Sequence, residues 1–274
     1  TTTSTTSTPT PTTSQGKLLQ FSPLSFYYDD VRNAPIAADS AAIANNVYHQ
    51  VIDNWNGVAA VNAYKYNITY YRTTPTTPRI TVGFFNCQNK SYVPANLYDG
   101  AKYFVNVPVP DEAVPAVGTD GSMSIYDPAS DTSWEFWRMR RNPTSGSWEA
   151  CWGGRIDNVS TASGVFPQPY GVSAAGLSMA GGAISLQEAK DRKIEHAMYL
   201  AVIAPRHYSQ LSWPANRSDG ISTDPTTPME GQRLRLDPTL NLDNYALTPL
   251  GRAVAEAAQK YGFVVSDKAG AVAV

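Results

Sequence analysis

The stretch of sequence that decides the fold is residues 127–141, DPASDTSWEFWRMRR. If residues 133–138 form a strand, successive side chains alternate between its two faces. One face then carries Asp131, Ser133, Glu135 and Trp137. The other carries Thr132, Trp134, Phe136 and Arg138. Both faces hold aromatic rings, whereas a sandwich strand usually has a polar outer face. We therefore predict that one face packs in the core and the other, with its carboxylates and indole, contacts a ligand.

Short runs with the same β-forming character surround this stretch. They are rich in Val, Ile, Tyr, Phe and Trp, and turn-forming Gly, Pro, Asn or Asp residues separate them. The runs are residues 67–72, 79–85, 102–107, 122–126, 133–138, 147–152, 195–203 and 232–236. This spacing is typical of an antiparallel β-sandwich or jelly roll. The sequence therefore predicts a mostly β fold.

Two helices are predicted to flank the strands. In the first, Ser40 is the expected N-cap and Gly57 the end. Its apolar stripe consists of Ile43, Val47, Val51 and Trp55. In the second, Thr248 is the N-cap, Pro249 occupies the first turn and Gly262 ends the helix.

The chain divides into an N-terminal linker and one predicted domain. Residues 1–14 contain only Thr, Ser and Pro, so they have no apolar side chains to bury. We predict a disordered linker over residues 1–15, of the kind that tethers an extracellular domain to a cell surface. Residues 16–274 show no internal repeat and are predicted to form a single β-sandwich domain.

Charge and composition exclude several classes of function. The chain has 21 Lys and Arg, 23 Asp and Glu and a net charge of −2, so nothing favours a nucleic-acid partner. No run approaches the ~18 to 20 apolar residues that a membrane span needs, so we predict no membrane span. With three His, a His-rich metal site is not expected, and no cofactor is predicted.

The two cysteines, Cys87 and Cys151, are too few and too far apart for the usual zinc sites. One disulfide between them fits an oxidising compartment and therefore a secreted, extracellular protein. Two reduced, buried thiols are the alternative.

The Glu135 face of the predicted strand is the first candidate site. Sugar rings stack on indoles, and carboxylates accept sugar hydroxyls or act as acid and base. Asp131 and Glu135 are therefore candidate catalytic residues, with Trp137 as a sugar platform. The two carboxylates would lie about 13 Å apart along the strand, too far for a glycosidase pair. A partner for Glu135 would come from another strand, such as Glu149, Glu188 or Glu230. The alternative is a half-buried strand in which Glu135 pairs with an Arg.

A second candidate site combines His196 with Arg233 and Arg235. In the run QRLRLD both arginines point to one face of a strand. Two arginines near a His and a Tyr would suit a uronate lyase, in which cations neutralise the sugar carboxylate and a base removes the C5 proton. The alternative is a satisfied core His beside a solvated strand edge.

Two loops complete the candidate residues. The segment GVSAAGLSMAGG, residues 171–182, fits neither a nucleophile elbow nor a phosphate loop, and we interpret it as close backbone packing or a cleft rim. The segment WPANRSDG, residues 213–220, offers Trp213, an Arg and an Asp to a hydroxylated ligand. Trp213 is therefore a candidate substrate-binding residue. Trp152 is another, because it shares a face with Trp148 in the predicted strand over residues 147–152.

A set of ordered motifs resembles a family of secreted, β-rich proteins of actinobacteria and other soil bacteria. The motifs include DTSWEFW, AAGLSMAGG, KIEHAMYLAV, WPANRSDG and EGQRLRLDP, and the resemblance covers the chain from about residue 21 to its end. The family's recurring positions fall on Asp131, Trp134, Glu135, Phe136, Trp137, His196, Ala197, Arg235, Leu236 and Asp237. The resemblance implies extracellular placement and a β-sandwich, and it supplies no activity.

We expect a secreted enzyme that acts on a polysaccharide, most simply a glycoside hydrolase that uses Glu135. The alternatives are a carbohydrate-binding or cell-surface interaction module without catalysis, the uronate lyase, and a structural surface-layer or appendage domain.

Overall fold

The computed structural model describes residues 16–274, so the predicted linker over residues 1–15 lies outside the described residues. The strands are β1 Thr69–Arg72, β2 Arg79–Ile80, β3 Gly83–Phe84, β4 Val107–Pro108, β5 Met123–Asp127, β6 Thr132–Trp137, β7 Arg140–Arg141, β8 Trp148–Ala150, β9 Trp152–Ile156, β10 Met198–Val202, β11 Arg233–Leu234 and β12 Phe263–Lys268. The helices are α1 Ser40–Ile52, α2 Met179–Gly182, α3 Leu186–Asp191 and α4 Pro249–Lys260. The prediction of a β-rich fold is confirmed.

The strand that the sequence singles out, β6, is an inner strand of a four-stranded sheet ordered β1-β5-β6-β9. It pairs antiparallel with β5 and β9, and β1 joins β5 in parallel. One apolar cluster contains Trp134 and Phe136 on one face of this sheet. A second cluster, which includes Tyr70, Tyr126 and Ala180, covers the other face. The sheet has apolar clusters on both faces, which explains why β6 is rich in apolar side chains.

The remaining strands form three small sheets and no second large one. Their orders are β10-β12-β11, β2-β4 and β3-β8-β7. The pairs β1–β5, β3–β8 and β10–β12 are parallel. Purely antiparallel pairing was therefore the wrong expectation, and these small mixed sheets do not form a clear sandwich or jelly roll.

Both predicted helices form, and they differ in how well their ends were predicted. Helix α4 has the predicted cap, with the side chain of Thr248 accepting a hydrogen bond from the Gly251 amide. Helix α1 ends at Ile52, before the predicted Gly57, and its N-cap is Asp39 instead of Ser40. Trp55 lies beyond the helix and is 68% exposed, so it does not continue the buried stripe.

Two further predictions concern a disulfide and a membrane span. Cys87 and Cys151 form a disulfide, as predicted, with their Cα atoms 5.6 Å apart. It links the segment after β3 to the segment between β8 and β9. None of the helices described between residues 16 and 274 combines the length and apolar character that a membrane crossing needs.

Candidate functional site

Glu135 lies in the middle of β6 and is fully buried. One carboxylate oxygen accepts hydrogen bonds from the Ser178 hydroxyl at 2.7 Å and the Ala180 amide at 3.0 Å, and the other accepts from the Met179 amide at 3.0 Å. These groups form the N-terminus of α2, whose amides have no partners within the helix. Burial raises the pKa of Glu135 to about 6, and the three donors oppose that rise. Glu135 therefore holds α2 against the sheet, and neither oxygen faces a groove.

Asp131 and His196 are each satisfied by other partners. Asp131 accepts hydrogen bonds from the Ser160 hydroxyl at 2.7 Å and from the Tyr126 hydroxyl at 2.9 Å. His196 is 1% exposed, and its Nε2 lies 3.1 Å from a carboxylate oxygen of Glu188. Burial raises the pKa of Glu188, but its bonds to His196 and Ser185 outweigh burial, and the net pKa is lowered. The structure does not bring Asp131, Glu135 and His196 together.

The two arginines of the second candidate site bind backbone carbonyls. Arg233 donates to the carbonyl oxygens of Tyr261 at 2.5 Å and Phe26 at 2.6 Å. Arg235 donates to the carbonyl of Val31. Arg233 on β11 therefore holds both the end of α4 and the segment around Phe26. Arg235, the residue after β11, holds the segment around Val31.

The three candidate tryptophans lie in different surroundings. Trp137 donates to the carboxylate of Asp120 at 3.1 Å, and Trp152 stacks on Tyr170 with ring centroids 5.4 Å apart. Trp213 is 71% exposed and makes an edge contact with the buried ring of Phe26. Of the three, Trp213 has the indole face that is free to stack on a ligand.

A different group of side chains has the properties of a reactive centre. Glu230 is fully buried, and neither of its carboxyl oxygens has a hydrogen-bond donor. The group that lies against it is the carboxyl of Asp219, which is itself exposed. The pKa of Glu230 is raised to about 9, chiefly by burial and in part by the nearby Asp219 and Asp267 carboxyls, while the backbone amide of Asp219 opposes the rise. We call Asp219 and Glu230 the acid dyad.

Asp267 on β12 extends the dyad to a cluster of three carboxyls. The hydroxyl of Tyr199 donates to it at 2.7 Å, and the Lys268 amide donates at 2.9 Å. Burial raises the pKa of Asp267 to about 7, and the charge of Asp219 contributes to that rise. Tyr199 lies on β10, whose neighbour β12 carries Asp267, so the sheet positions this hydrogen bond.

One arginine faces the cluster. Arg217 donates to the carbonyls of Gly171 at 3.0 Å and Ser173 at 2.5 Å, which fixes the start of the segment over residues 171–182. Burial lowers the pKa of Arg217, while Asp267 is the largest of the carboxylate influences that raise it. Arg217 therefore supplies a positive charge to the cluster, and its Nε atom has no hydrogen-bond partner among the described residues.

Glycine follows each member of the acid dyad. A Cβ on Gly220 would overlap the carbonyl of Arg206, and a Cβ on Gly231 would overlap the carbonyl of Ser212. Gly231 also has a φ of +86°, a conformation that glycine adopts without strain. The backbone beside Asp219 therefore packs closely against Arg206, and the backbone beside Glu230 packs closely against Ser212. Both carboxyls are carried by segments that are fixed in place.

Part of this site was predicted from the sequence. The loop at residues 213–220 was predicted to offer an Asp to a ligand, and Glu230 was named as a partner carboxylate, although for Glu135. Asp267 was missed because no strand was predicted at β12. A short apolar run, FVV, precedes Asp267 and is the signal that could have found that strand.

The three comparisons with known proteins add no relative. No protein-family model, curated protein or solved structure matches this chain. The resemblance to secreted soil-bacterial proteins therefore stays a prediction. Among residues 16–274, no three His, Cys, Asp or Glu side chains are arranged to hold a metal ion.

Proposed function

We propose that this chain is a secreted hydrolase that cleaves glycosidic bonds with the carboxyl cluster around Glu230. The observation that carries the proposal is a fully buried carboxyl with no donor, set against an exposed carboxylate. A buried carboxyl whose charged form is not compensated by N–H or O–H donors resists ionisation, and carboxyls with strongly shifted pKa values are concentrated at reactive sites. This proposal moves the catalytic role predicted for Glu135 to the acid dyad.

The two members of the dyad act as one unit. With a pKa of about 9, Glu230 keeps its proton at neutral pH and donates it in a hydrogen bond to Asp219. Because Asp219 engages that proton, Glu230 does not serve as the general acid that protonates the leaving oxygen of a glycoside. Glu230 is therefore a positioning residue that orients the Asp219 carboxylate.

The second catalytic group in this proposal is Asp267. A carboxyl with a pKa of about 7 is partly protonated at neutral pH and can give its proton to the leaving oxygen. Asp219, which is exposed, then acts as the base or nucleophile at the sugar. The cationic Arg217 stabilises negative charge on both carboxylates between turnovers.

The exposed aromatic ring of Trp213, near the carboxyl cluster, is evidence in favour of a sugar substrate. The amide of Ser212 donates to the backbone carbonyl of Glu230 at 2.8 Å, so the next residue, Trp213, is tied to the dyad through the backbone. Its exposed indole is a suitable platform for the apolar face of a pyranose. The proposed partner is therefore a polysaccharide, and the disulfide supports an extracellular setting.

The release of reducing ends from a panel of neutral and acidic polysaccharides tests the proposal. We expect the wild-type protein to release sugars from at least one polymer, and Asp219→Asn and Asp267→Asn to abolish the release. Glu112→Gln, an exposed carboxyl outside the cluster, is the matched control and should behave as the wild type. If no polymer on the panel is cleaved, or if Asp219→Asn stays active, the proposal is wrong.

A binding module without catalysis is the second candidate. The observation that favours it is the exposure of several large aromatic side chains, among them Trp213 at 71%, Trp55 at 68% and Tyr64 at 75%. A binder would be retarded in affinity electrophoresis and would release no product. The lyase gains no support, because His196 pairs with Glu188 in the interior and Arg235 binds a backbone carbonyl.

A further inference from the structure

A cavity of about 290 Å³ opens between residues 206–210 and residues 222–225, the segments on either side of Asp219 in the chain. We call it the side pocket, and its walls include Arg206, His207, Gln210, Ser222 and Thr223. Its two sides are joined by the backbone hydrogen bond from His207 to Ser222, 2.8 Å long. A volume near the lower end of the roughly 300–1,000 Å³ of small-molecule sites suits a ligand the size of one sugar unit.

The side pocket lies next to Asp219 in the fold as well as in the sequence. The amide of Tyr208 donates to the carbonyl of Gly220 at 2.8 Å, and Tyr208 follows His207 of the pocket wall. Gly220 also packs against the backbone of Arg206 so closely that no side chain fits between them. The pocket wall is therefore in direct contact with the residue that follows Asp219.

The polar groups of the side pocket match the hydroxyls of an uncharged sugar. Nδ1 of His207 lies 2.9 Å from the Ser209 hydroxyl and accepts from the Ser209 amide at 3.3 Å, so Nε2 is the ring nitrogen that can meet a ligand. Gln210 and Thr223 are exposed and supply an amide and a hydroxyl. At the rim, the ring of Tyr208 is 59% exposed and lies 4.1 Å from the ring of His207, which gives a stacking surface.

Protein groups already engage the guanidinium of Arg206 in the pocket wall. The guanidinium of Arg206 donates to the carbonyl oxygens of Thr227 and Pro225. Arg206 also faces Asp224, where its positive charge contributes to a lowered pKa behind that carboxyl's own bonds to Thr226. A bound anion would compete with this carboxylate, whereas a neutral hydroxylated ligand would not.

We infer that the side pocket binds an uncharged sugar unit of the polysaccharide whose neighbouring bond Asp219 attacks. The inference rests on the proposed function for its catalytic part, and the binding itself can be measured without catalysis. The side pocket is then a subsite that selects polysaccharides of neutral sugars over polysaccharides rich in uronates.

Nuclear magnetic resonance of the Asp219→Asn protein tests binding without cleavage. The probes are neutral oligosaccharides, galacturonate oligomers and inorganic phosphate, added to the full chain. We expect saturable shifts of the Gln210 side-chain amide and the Tyr208 backbone amide with a neutral oligosaccharide. His207→Ala and Gln210→Ala should each weaken binding by about tenfold, the scale of one lost polar contact. Gln187→Ala, an exposed glutamine on α3, is the control and should bind as before.

The possible results distinguish failure of the sugar-subsite inference from failure of the proposed hydrolase function. If no neutral oligosaccharide shifts these signals, or if galacturonate or phosphate binds there more tightly, the inference is wrong even where hydrolysis is found. If the signals shift and the wild-type protein cleaves nothing, the pocket is a glycan site on a binding protein and the proposed hydrolase is wrong. Loss of folding would show as collapse of the whole spectrum, so each variant spectrum reports its own fold.

Discussion

Glu135 and Glu230 are the same residue type in the same degree of burial, and they differ in what surrounds their oxygens. Both are 0% exposed. Three donors from the start of α2 meet Glu135, and its pKa rises only to about 6. No donor meets Glu230, another carboxyl lies against it, and its pKa rises to about 9.

The comparison shows that burial alone does not mark a reactive carboxyl. Burial disfavours the charged form of both side chains, and hydrogen bonds to the charged form compensate at one of them. A compensated carboxyl stabilises structure, whereas an uncompensated one holds a proton that can be moved near neutral pH. The donors around a carboxyl therefore distinguish the two roles.

The largest expected effect is on activity at the dyad. Asp219→Asn removes the only exposed carboxylate of the dyad, and general acid–base groups contribute about 10²–10⁴-fold to rate. We expect kcat/KM on the best polysaccharide to fall by that factor while the free energy of unfolding changes little. Residual activity above a tenth of wild type, with Glu112→Gln unchanged, would mean that the reactive centre lies elsewhere.

The next effect is on stability at Glu135. Glu135→Gln places an amide donor against the donors of α2, and a hydrogen bond to a charged group contributes about 1.5–3 kcal/mol. We expect the free energy of unfolding, measured in urea at pH 7, to fall by about 2–3 kcal/mol. The kcat of the folded fraction should stay as in the wild type.

The outcome at Glu135 also tests its predicted catalytic role. A loss of kcat in Glu135→Gln without a loss of stability would restore Glu135 as the catalytic residue and reverse the comparison. Glu112→Gln again supplies the baseline for removing one carboxylate charge.

A smaller effect concerns the pH dependence of stability. The native pKa of Glu230, about 9, exceeds its ordinary value of 4.5, so the native protein keeps a proton that the unfolded chain loses. This stabilisation is complete below pH 4.5 and is lost as the pH rises towards 9. Asp267, with a native pKa of about 7, acts in the same direction until it is almost fully ionised, at about pH 8.

The window from about pH 8 to about pH 9 therefore isolates Glu230. In the wild type, the free energy of unfolding should fall there by at most about 1.4 kcal/mol per pH unit, and in Glu230→Gln it should stay nearly flat. Glu230→Gln keeps a donor for Asp219, so its activity should stay within about tenfold of wild type, whereas Glu230→Leu should lose more. Equal slopes in wild type and Glu230→Gln would show that Glu230 is not protonated in this range.

The features that could be predicted from the sequence are those that short segments determine. Helix α4 was predicted because its cap, its first-turn proline and its terminal glycine lie within fifteen residues of one another. The alternation of β6 correctly separated Glu135 from Trp134 and Phe136. The alternation could not show that α2, more than forty residues later, covers the Glu135 face.

The carboxyl cluster lies beyond such local patterns. Asp219, Glu230 and Asp267 come from two loops and a strand, and the parallel pairing of β10 with β12 places Asp267 beside Tyr199. Parallel neighbours need long connections, so no short-range pattern fixes which side chains they bring together. Without the position of β12, Glu230 is only a polar residue in a loop rich in Pro and Thr.

The smallest expected effect is on the pKa of Asp267. Removing its side-chain donor should make Asp267 resemble Glu230, whose oxygens have no donor, more than Glu135, whose oxygens have three. The Tyr199 hydroxyl favours the ionised form of Asp267, so Tyr199→Phe should raise the pKa of Asp267 above about 7. A general acid works while it is protonated, so activity falls as the pH rises through its pKa. The alkaline limb of kcat/KM, measured from pH 6 to pH 9, should move to higher pH in Tyr199→Phe. A limb that stays in place or moves to lower pH would remove Asp267 from the role of proton donor and leave Asp219 to be paired with another acid.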